Sequence, residues 1–155
     1  MSEHSATIRW NRGDAPFHGG RYPRTHEWRF DGGAIVPASA SPDIVPAPWS
    51  DASAVDPEEA FVAALSSCHM LWFLSLAAGK GFVVDSYEDD AVGHMREIAP
   101  NKIAIAEVVL RPRVVFDPAH TADRVQLDAL HHAAHERCFL ANSVKSEIRI
   151  EPIQP

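Results

Sequence analysis

The longest uncharged stretch of the chain predicts a buried helix. Residues 60–79 contain no Asp, Glu, Lys or Arg, a pattern that is typical of a helix lying in a protein core or at a subunit interface. Asp56, Pro57 and Glu59 provide an N-cap, a proline in the first turn and the acidic half of a capping box. Gly79 favours an end to the helix. We therefore expect a helix of about 34 Å.

Alternating apolar and polar residues predict strands on both sides of this helix. In the final segment Val144, Ile148 and Ile150 alternate with charged residues, so we expect one face of that strand to be buried. Pro112 falls inside a predicted strand and is expected at a sheet edge or a bulge, because proline has no N–H to donate. The predicted strands cover residues 6–10, 21–30, 34–37, 82–98, 102–116 and 143–152, and a second helix covers residues 120–137.

This order of elements predicts an α+β chain that forms a single domain over residues 1–155. Residues 37–55 do not follow either periodicity and contain four prolines. Long loops of this kind are usually functional segments or disordered connectors. Because Ile44, Val45 and Trp49 are apolar, we expect the loop to pack over the mouth of a pocket; the alternative is a solvated connector.

Composition and charge exclude several classes of partner. The 155 residues carry a net charge of −7 and are 46% hydrophobic and 23% charged. These values suit a soluble domain and disfavour binding to nucleic acid or to an anionic membrane through a basic face. The first residues lack the pattern of a secretion signal, so the chain is expected to be cytoplasmic. The uncharged helix is not expected to span a membrane, because Ser66, Ser67 and His69 make its insertion unfavourable.

The two cysteines are the strongest candidates for chemistry. In a chain of this kind they are free thiols or a functional pair rather than a disulfide framework. Cys68 lies in the middle of the uncharged helix among small residues, which leave room for a ligand or a facing helix. Cys138 continues the apolar stripe of Leu127, Leu130 and Ala134 on the second helix. We expect both thiols to point into one core; the alternative is that each is a small buried hydrophobe.

The histidines give a second hypothesis, a metal site. His131 and His135 are four residues apart on the second helix, a spacing that can hold zinc, and His69 with the two cysteines could complete a site. Charged neighbours on the second helix favour instead a surface position for His131, His132 and His135. We therefore expect no metal.

Two segments carry a family resemblance. They are DPEEAFVAALSSCHM around Cys68 and AHERCFLANSVKSEIRIEP around Cys138, and they resemble the signature regions of the OsmC/Ohr family, the osmotically inducible and organic hydroperoxide resistance proteins. The resemblance implies an OsmC-like, intertwined homodimer in which long central helices pack together and antiparallel sheets wrap around them. It also implies thiol-dependent reduction of organic hydroperoxides, with no bound cofactor and an external dithiol, typically a dihydrolipoyl group, as reductant.

The resemblance implies roles for several residues. Cys68 would be the peroxidatic cysteine and Cys138 the resolving one, and Glu58 matches the family's glutamate near the helix start. An arginine from the N-terminal strands would favour the thiolate, and Arg21 and Arg24 both stand as candidates for it. Glu58 and Cys68 are ten residues apart, about 15 Å along one helix. We therefore expect Glu58 to reach the thiol from the partner chain of a dimer.

The expected substrate pocket departs from the family pattern. His69 follows the first cysteine where relatives commonly carry an apolar or aromatic residue, and Phe139 follows the second where many carry proline. The substrate preference is therefore expected to be that of a divergent subfamily. The alternative to a peroxidase is a non-catalytic module that binds a hydrophobic ligand or senses redox state. The expected pocket residues are Trp49, Phe61, His69 and Phe139.

Overall fold

The computed structural model describes residues 2–153, which form two compact units, one ending at Ala60 and the other beginning at Phe61. The helices of the described residues are α1 (Pro57–Gly79) and α2 (Arg124–Arg137). The strands are β1 (Ala6–Arg9), β2 (His26–Phe30), β3 (Ile35–Ala38), β4 (Val84–Asp89), β5 (Val92–Ala99), β6 (Lys102–Leu110), β7 (Pro112–Phe116) and β8 (Glu147–Ile150). The α+β class predicted from the sequence is confirmed.

The N-terminal unit is built on an antiparallel sheet in the order β1–β2–β3. A tight turn joins β2 to β3. Gly33 has a φ of 87° and donates its N–H to the Phe30 carbonyl at 3.0 Å, a conformation that glycine adopts without strain. Register then places Trp28 opposite Val36.

The strand predicted over residues 21–30 is shorter than expected, since β2 begins at His26. Pro23 has no N–H, and the N–H of Arg24 is bonded to the Trp49 carbonyl at 2.8 Å. This part of the chain therefore makes its backbone hydrogen bond to the 37–55 segment instead of to a sheet neighbour.

Residues 37–55 are held by hydrogen bonds. Ser39 is fully buried, and its N–H is bonded to the Val55 carbonyl at 3.0 Å. Its Oγ accepts the N–H of Asp51, also at 3.0 Å. Ile44 is 65% exposed, so the prediction that it packs over a pocket is wrong for this residue. The prediction assumed that apolar contacts hold the segment in place, whereas hydrogen bonds of its backbone do so.

The predicted boundaries of α1 are confirmed. Asp56 Oδ1 accepts the N–H of Glu59 at 2.7 Å, and Glu59 Oε2 accepts the N–H of Asp56 at 3.1 Å, which completes the capping box. At the other end Gly81 has a φ of 82°, and the Phe82 N–H is bonded to the Ala77 carbonyl at 3.0 Å. Both ends of the helix thus satisfy backbone groups that the helix itself leaves free.

The two long strands predicted after α1 form a hairpin that is interrupted at the same level on both sides. β4 pairs with β7 and β5 pairs with β6, all antiparallel, whereas β8 pairs with β6 in parallel. At the interruption the Asp89 carboxylate accepts the N–H of Arg111 at 2.6 Å, and Pro112, the first residue of β7, has no N–H to offer. A side chain therefore replaces a backbone partner, and two predicted strands become four.

The core of the C-terminal unit lies against one face of α1. Phe73 packs against Leu130 of α2. Leu65 packs against Val108 of β6 in a second cluster. This spacing of four residues selects a single stripe of the helix. The residues buried on the stripe are Leu65, His69, Phe73 and Ala77.

Much of the remaining surface of α1 is uncovered. The helix is long and apolar enough to cross a membrane, with a mean hydropathy of 1.7 over its most apolar window, of which 22% is buried. The central helix of a soluble protein meets the same criteria. Leu71 is the most exposed large apolar residue of α1, at 61%. In the single chain, α1 therefore presents an uncharged face to solvent.

Gly93 of β5 lies directly against α1, and its replacement by alanine is expected to destabilise the fold. A Cβ here would lie 2.7 Å from Val62 Cγ2 and 3.3 Å from Ile105 Cγ2, and both side chains are stiff because they are β-branched. Overpacking of this kind costs about 1–3 kcal/mol, which urea unfolding measures. Gly79→Ala is the control, because nothing lies within 4 Å of its added Cβ; equal losses in both variants would contradict the steric explanation.

Candidate active site at two free cysteines

Cys68 lines an apolar groove on the open side of α1. The thiol is free and its residue is half-buried. The groove has a volume of about 290 Å³, and α1 contributes four of its lining residues at the spacing i, i+3, i+4 and i+7. A small organic molecule is therefore able to approach the Cys68 sulfur from solvent. The lining residues are Cys68, Leu71, Trp72, Ser75 and Phe139.

Cys138 lies behind this groove at the end of α2. It is 1% exposed, its N–H is bonded to the His135 carbonyl at 3.1 Å, and its Sγ accepts the N–H of Ala141 at 3.4 Å. Burial, followed by the neighbouring Cys68 side chain, raises the pKa of Cys138. The two side chains are therefore neighbours, but only Cys138 points into the core, because Cys68 lines the groove. Cys138 is protonated at neutral pH.

The walls of the groove are aromatic. The rings of Trp72 and Phe139 meet edge to face with their centroids 5.4 Å apart. The Arg137 guanidinium lies 5.8 Å from the Trp72 ring centre, a cation–π distance. Leu71 and Trp72 were not among the expected pocket residues, although their helical spacing from Cys68 in the sequence places them on the same face of α1.

Of the four residues expected in the substrate pocket, Phe139 lines the groove. Phe61 instead packs against the core cluster of Leu65, and His69 is buried against α2. Phe61 and His69 therefore lie on the core side of α1, whereas the groove is on the open side. Trp49 belongs to the N-terminal unit, where its carbonyl accepts the Arg24 N–H.

The candidate activating residues all lie before Phe61. The Arg24 guanidinium stacks 3.6 Å from the centre of the Tyr22 ring and donates to the Gly20 carbonyl at 2.6 Å. Arg21 is exposed, and Glu58 is half-buried in the first turn of α1. Because α1 is continuous, Glu58 is about 15 Å along the helix axis from a thiol ten residues later, as the sequence predicts.

Two histidines form a buried pair beside the cysteines. His69 Nε2 and His131 Nδ1 are 3.1 Å apart. Burial, then the neighbouring His131 and His135, lowers the pKa of His69 to about 3. Burial lowers the pKa of His131 to about 4 against the opposing effect of Asp128. Both imidazoles are therefore neutral at physiological pH.

The surface position expected for the α2 histidines is wrong for His131, which is 3% exposed, and right for His132. His131 packs against the Phe73 ring, with centroids 4.4 Å apart. The charged neighbours that favoured a surface position lie on the other faces of α2, whereas His131 adjoins Leu130 on its buried stripe. Within residues 2–153 no three His, Cys, Asp or Glu side chains are placed to hold a metal ion.

Comparisons with known proteins find relatives of this chain by sequence and by structure. Residues 50–152 match the family model of OsmC-like protein. The structure also matches an OsmC-like protein of unknown function from Vibrio cholerae, with 52% sequence identity, a TM-score of 0.96 and coverage of 99% of this chain and 100% of that one. Nearly the whole chain therefore corresponds to a single solved relative.

Structures with much lower sequence identity also share the fold. An organic hydroperoxide resistance protein from Elizabethkingia anophelis has 15% identity and a TM-score of 0.71, with 99% of this chain and 96% of that one covered. The organic hydroperoxide resistance protein OhrB of Bacillus subtilis has 17% identity and a TM-score of 0.65, with 99% and 98% covered. A comparison with curated proteins found no match. At these identities the two resistance proteins establish a shared fold.

Proposed function

Since this chain belongs to the OsmC-like protein family, we propose that it is a cytoplasmic thiol peroxidase that reduces organic hydroperoxides through Cys68 and Cys138. The observation that carries the proposal is the contact between a free, half-buried thiol on an apolar groove and a second, fully buried thiol. Two free cysteines also suit a reducing compartment. The net charge of −7 disfavours nucleic acid as a partner.

The proposed chemistry uses each thiol once. The Cys68 thiolate attacks the terminal peroxide oxygen, an S–O bond forms, the O–O bond breaks, and the departing alkoxide takes a proton to become the alcohol. Cys138 then attacks the sulfur of the Cys68 sulfenic acid, which forms the disulfide and releases water. An external dithiol, such as a dihydrolipoyl group, returns both thiols by exchange and is itself oxidised to a disulfide. No bound cofactor enters this cycle.

The burial of Cys138 supports these roles. Only a thiolate attacks a peroxide efficiently, and the raised pKa of the buried Cys138 makes it unsuited to the first attack. We assign Arg21 or Arg24, oriented by Glu58, as the groups that favour the Cys68 thiolate, because a guanidinium stabilises a nearby anion and a carboxylate fixes its position. These assignments rest on the family resemblance.

The aromatic walls support a hydrophobic substrate. Phe139 is 69% exposed and faces Trp72 across the groove, so Phe139→Ala is expected to raise the KM for cumene hydroperoxide roughly tenfold while the KM for hydrogen peroxide changes little. Steady-state kinetics with both peroxides measure this difference. Phe30→Ala, which removes an exposed phenylalanine of β2, is the control. Equal effects on the two peroxides would contradict a role of Phe139 in substrate binding.

The open face of α1 supports a homodimer. An uncharged helix with Leu71 61% exposed is unfavourable in water, and a second copy of α1 would cover it. Packing of this kind would also allow Glu58 of the partner subunit to reach Cys68.

Leu71→Lys is expected to convert the dimer to a monomer in light scattering, because a buried ammonium is costly. Val125→Lys, at a 77% exposed position of α2, should remain dimeric; a monomeric wild type would refute the dimer.

The experiment that tests the proposed function is consumption of cumene hydroperoxide by the pure protein with dihydrolipoamide as reductant. Continuous turnover, together with a Cys68–Cys138 disulfide detected by peptide mass analysis when the dithiol is left out, is the expected result. No turnover by a folded protein would favour the alternative, a non-catalytic module that binds a hydrophobic ligand in the groove or senses redox state.

A further inference from the structure

Two buried histidines join the helices that carry the two cysteines. His69 of α1 is 1% exposed and His131 of α2 is 3% exposed. Their rings are nearly parallel, with 6° between the planes, and His69 Nε2 lies 3.1 Å from His131 Nδ1. Because both imidazoles are neutral, one nitrogen donates a hydrogen and the other accepts it.

Stability alone would not favour this pair. His69 Nδ1 and His131 Nε2 are buried and have no hydrogen-bond partner among residues 2–153. In either tautomer one of them is an unpaired donor and the other an unpaired acceptor, and unpaired polar groups destabilise a fold. Two leucines would avoid this cost at similar volume. The pair therefore calls for a role besides packing.

The position of the pair indicates that role. His69 directly follows Cys68, and His131 lies seven residues, or about two turns, before Cys138. The contact of Phe73 with Leu130 between the same helices is apolar, and apolar contacts do not fix the relative position of two helices as a hydrogen bond does. The histidine pair is the side-chain hydrogen bond that joins α1 to α2 among residues 2–153.

We propose that the His69–His131 hydrogen bond is a positioning element that fixes α1 against α2 and so holds Cys68 and Cys138 in register for one disulfide. The inference rests on the proposed pairing of the thiols but not on a peroxide as the oxidant. A disulfide tolerates only a narrow range of Cα separations, about 4.4–6.8 Å, so a small slip between the helices disfavours closure. The two histidines would affect the reaction only by positioning the two cysteines, and they would not contact the substrate.

A redox titration with glutathione tests the proposal. The two thiols lose two protons and two electrons and form the S–S bond, and oxidised glutathione is reduced to two thiols. His69→Leu/His131→Leu is expected to lower the equilibrium constant for closure roughly tenfold, about 30 mV. Each single leucine variant should lose about as much as the double variant, because either change removes the same bond. His131→Asn, which keeps a polar atom in place of Nδ1, should restore closure to within about threefold of wild type.

The controls separate positioning from general destabilisation. Ile148→Ala removes packing in β8 within the other core cluster and is expected to leave the equilibrium constant unchanged. Additive losses in the single variants, a double variant equal to wild type, or an equal loss in Ile148→Ala would each overturn the proposal. If the leucine variants lower the equilibrium constant for closure as expected but the wild-type protein turns over no hydroperoxide, this inference is supported and the proposed function is refuted.

Discussion

Cys68→Ser is expected to abolish hydroperoxide turnover, with a loss of at least about 10³-fold. The serine hydroxyl stays protonated at neutral pH and is a poor nucleophile towards the O–O bond. Cys138 does not replace the lost thiol, since it is 1% exposed and burial raises its pKa. Peroxide consumption with dihydrolipoamide measures the effect.

Cys138→Ser provides the matched comparison. It retains the attacking thiol, so we expect one equivalent of peroxide to be consumed rapidly and turnover then to stall. With excess peroxide the unresolved sulfenic acid of Cys68 should advance to the sulfinic acid, which peptide mass analysis detects. Undiminished turnover in Cys68→Ser, or identical behaviour of the two variants, would contradict the assignment of the two roles.

Acidification is expected to destabilise the protein well above the pH at which carboxylates titrate. His69 and His131 have folded pKa values of about 3 and about 4, against 6.5 when unfolded. Below pH 6.5 the unfolded chain therefore binds protons that the folded chain does not, and stability falls until the folded pKa values are reached. Between pH 6.5 and 5 this costs about 2 kcal/mol for each histidine. Urea unfolding at several pH values measures it.

The double leucine variant is the control for this pH dependence. His69→Leu/His131→Leu should lose most of the slope between pH 6.5 and 5. The lowered pKa values of Glu107 and Asp117 also make the fold acid-sensitive, but their unfolded values of 4.5 and 3.8 place that loss at lower pH. An unchanged slope in the double variant would show that other groups control the acid sensitivity.

Structural features that depend only on residues close together in the chain could be predicted from the sequence. The α1 capping box is local, and it is found where Asp56 and Glu59 predict it. The interruption of the long hairpin was not predictable, because the partner of the Arg111 N–H is the carboxylate of Asp89, a residue distant in sequence. Tertiary contacts of this kind override the period-2 pattern.

The same distinction applies to the candidate site. Cys68 lies in an uncharged helix and Cys138 continues an apolar stripe of the second helix, so both thiols could be identified from the sequence. The helical spacing of Leu71 and Trp72 from Cys68 likewise indicates one face of α1. The burial of His131 depends on contact with His69 from another helix, whereas its charged neighbours along the chain argued for the surface. A histidine pair shares its hydrogen bond across space, and a single sequence does not record that pairing.

The separation of the two cysteines along the chain has a consequence beyond catalysis. Cys68 and Cys138 enclose β4 to β7 and all of α2, so a bond between them would close a loop of about 70 residues. Such a cross-link restricts the unfolded chain and favours the folded state by about 4 kcal/mol in the chain-entropy description. The resistance of the protein to unfolding and to proteolysis would then record its oxidation state, and the oxidised molecule would be the longer-lived one.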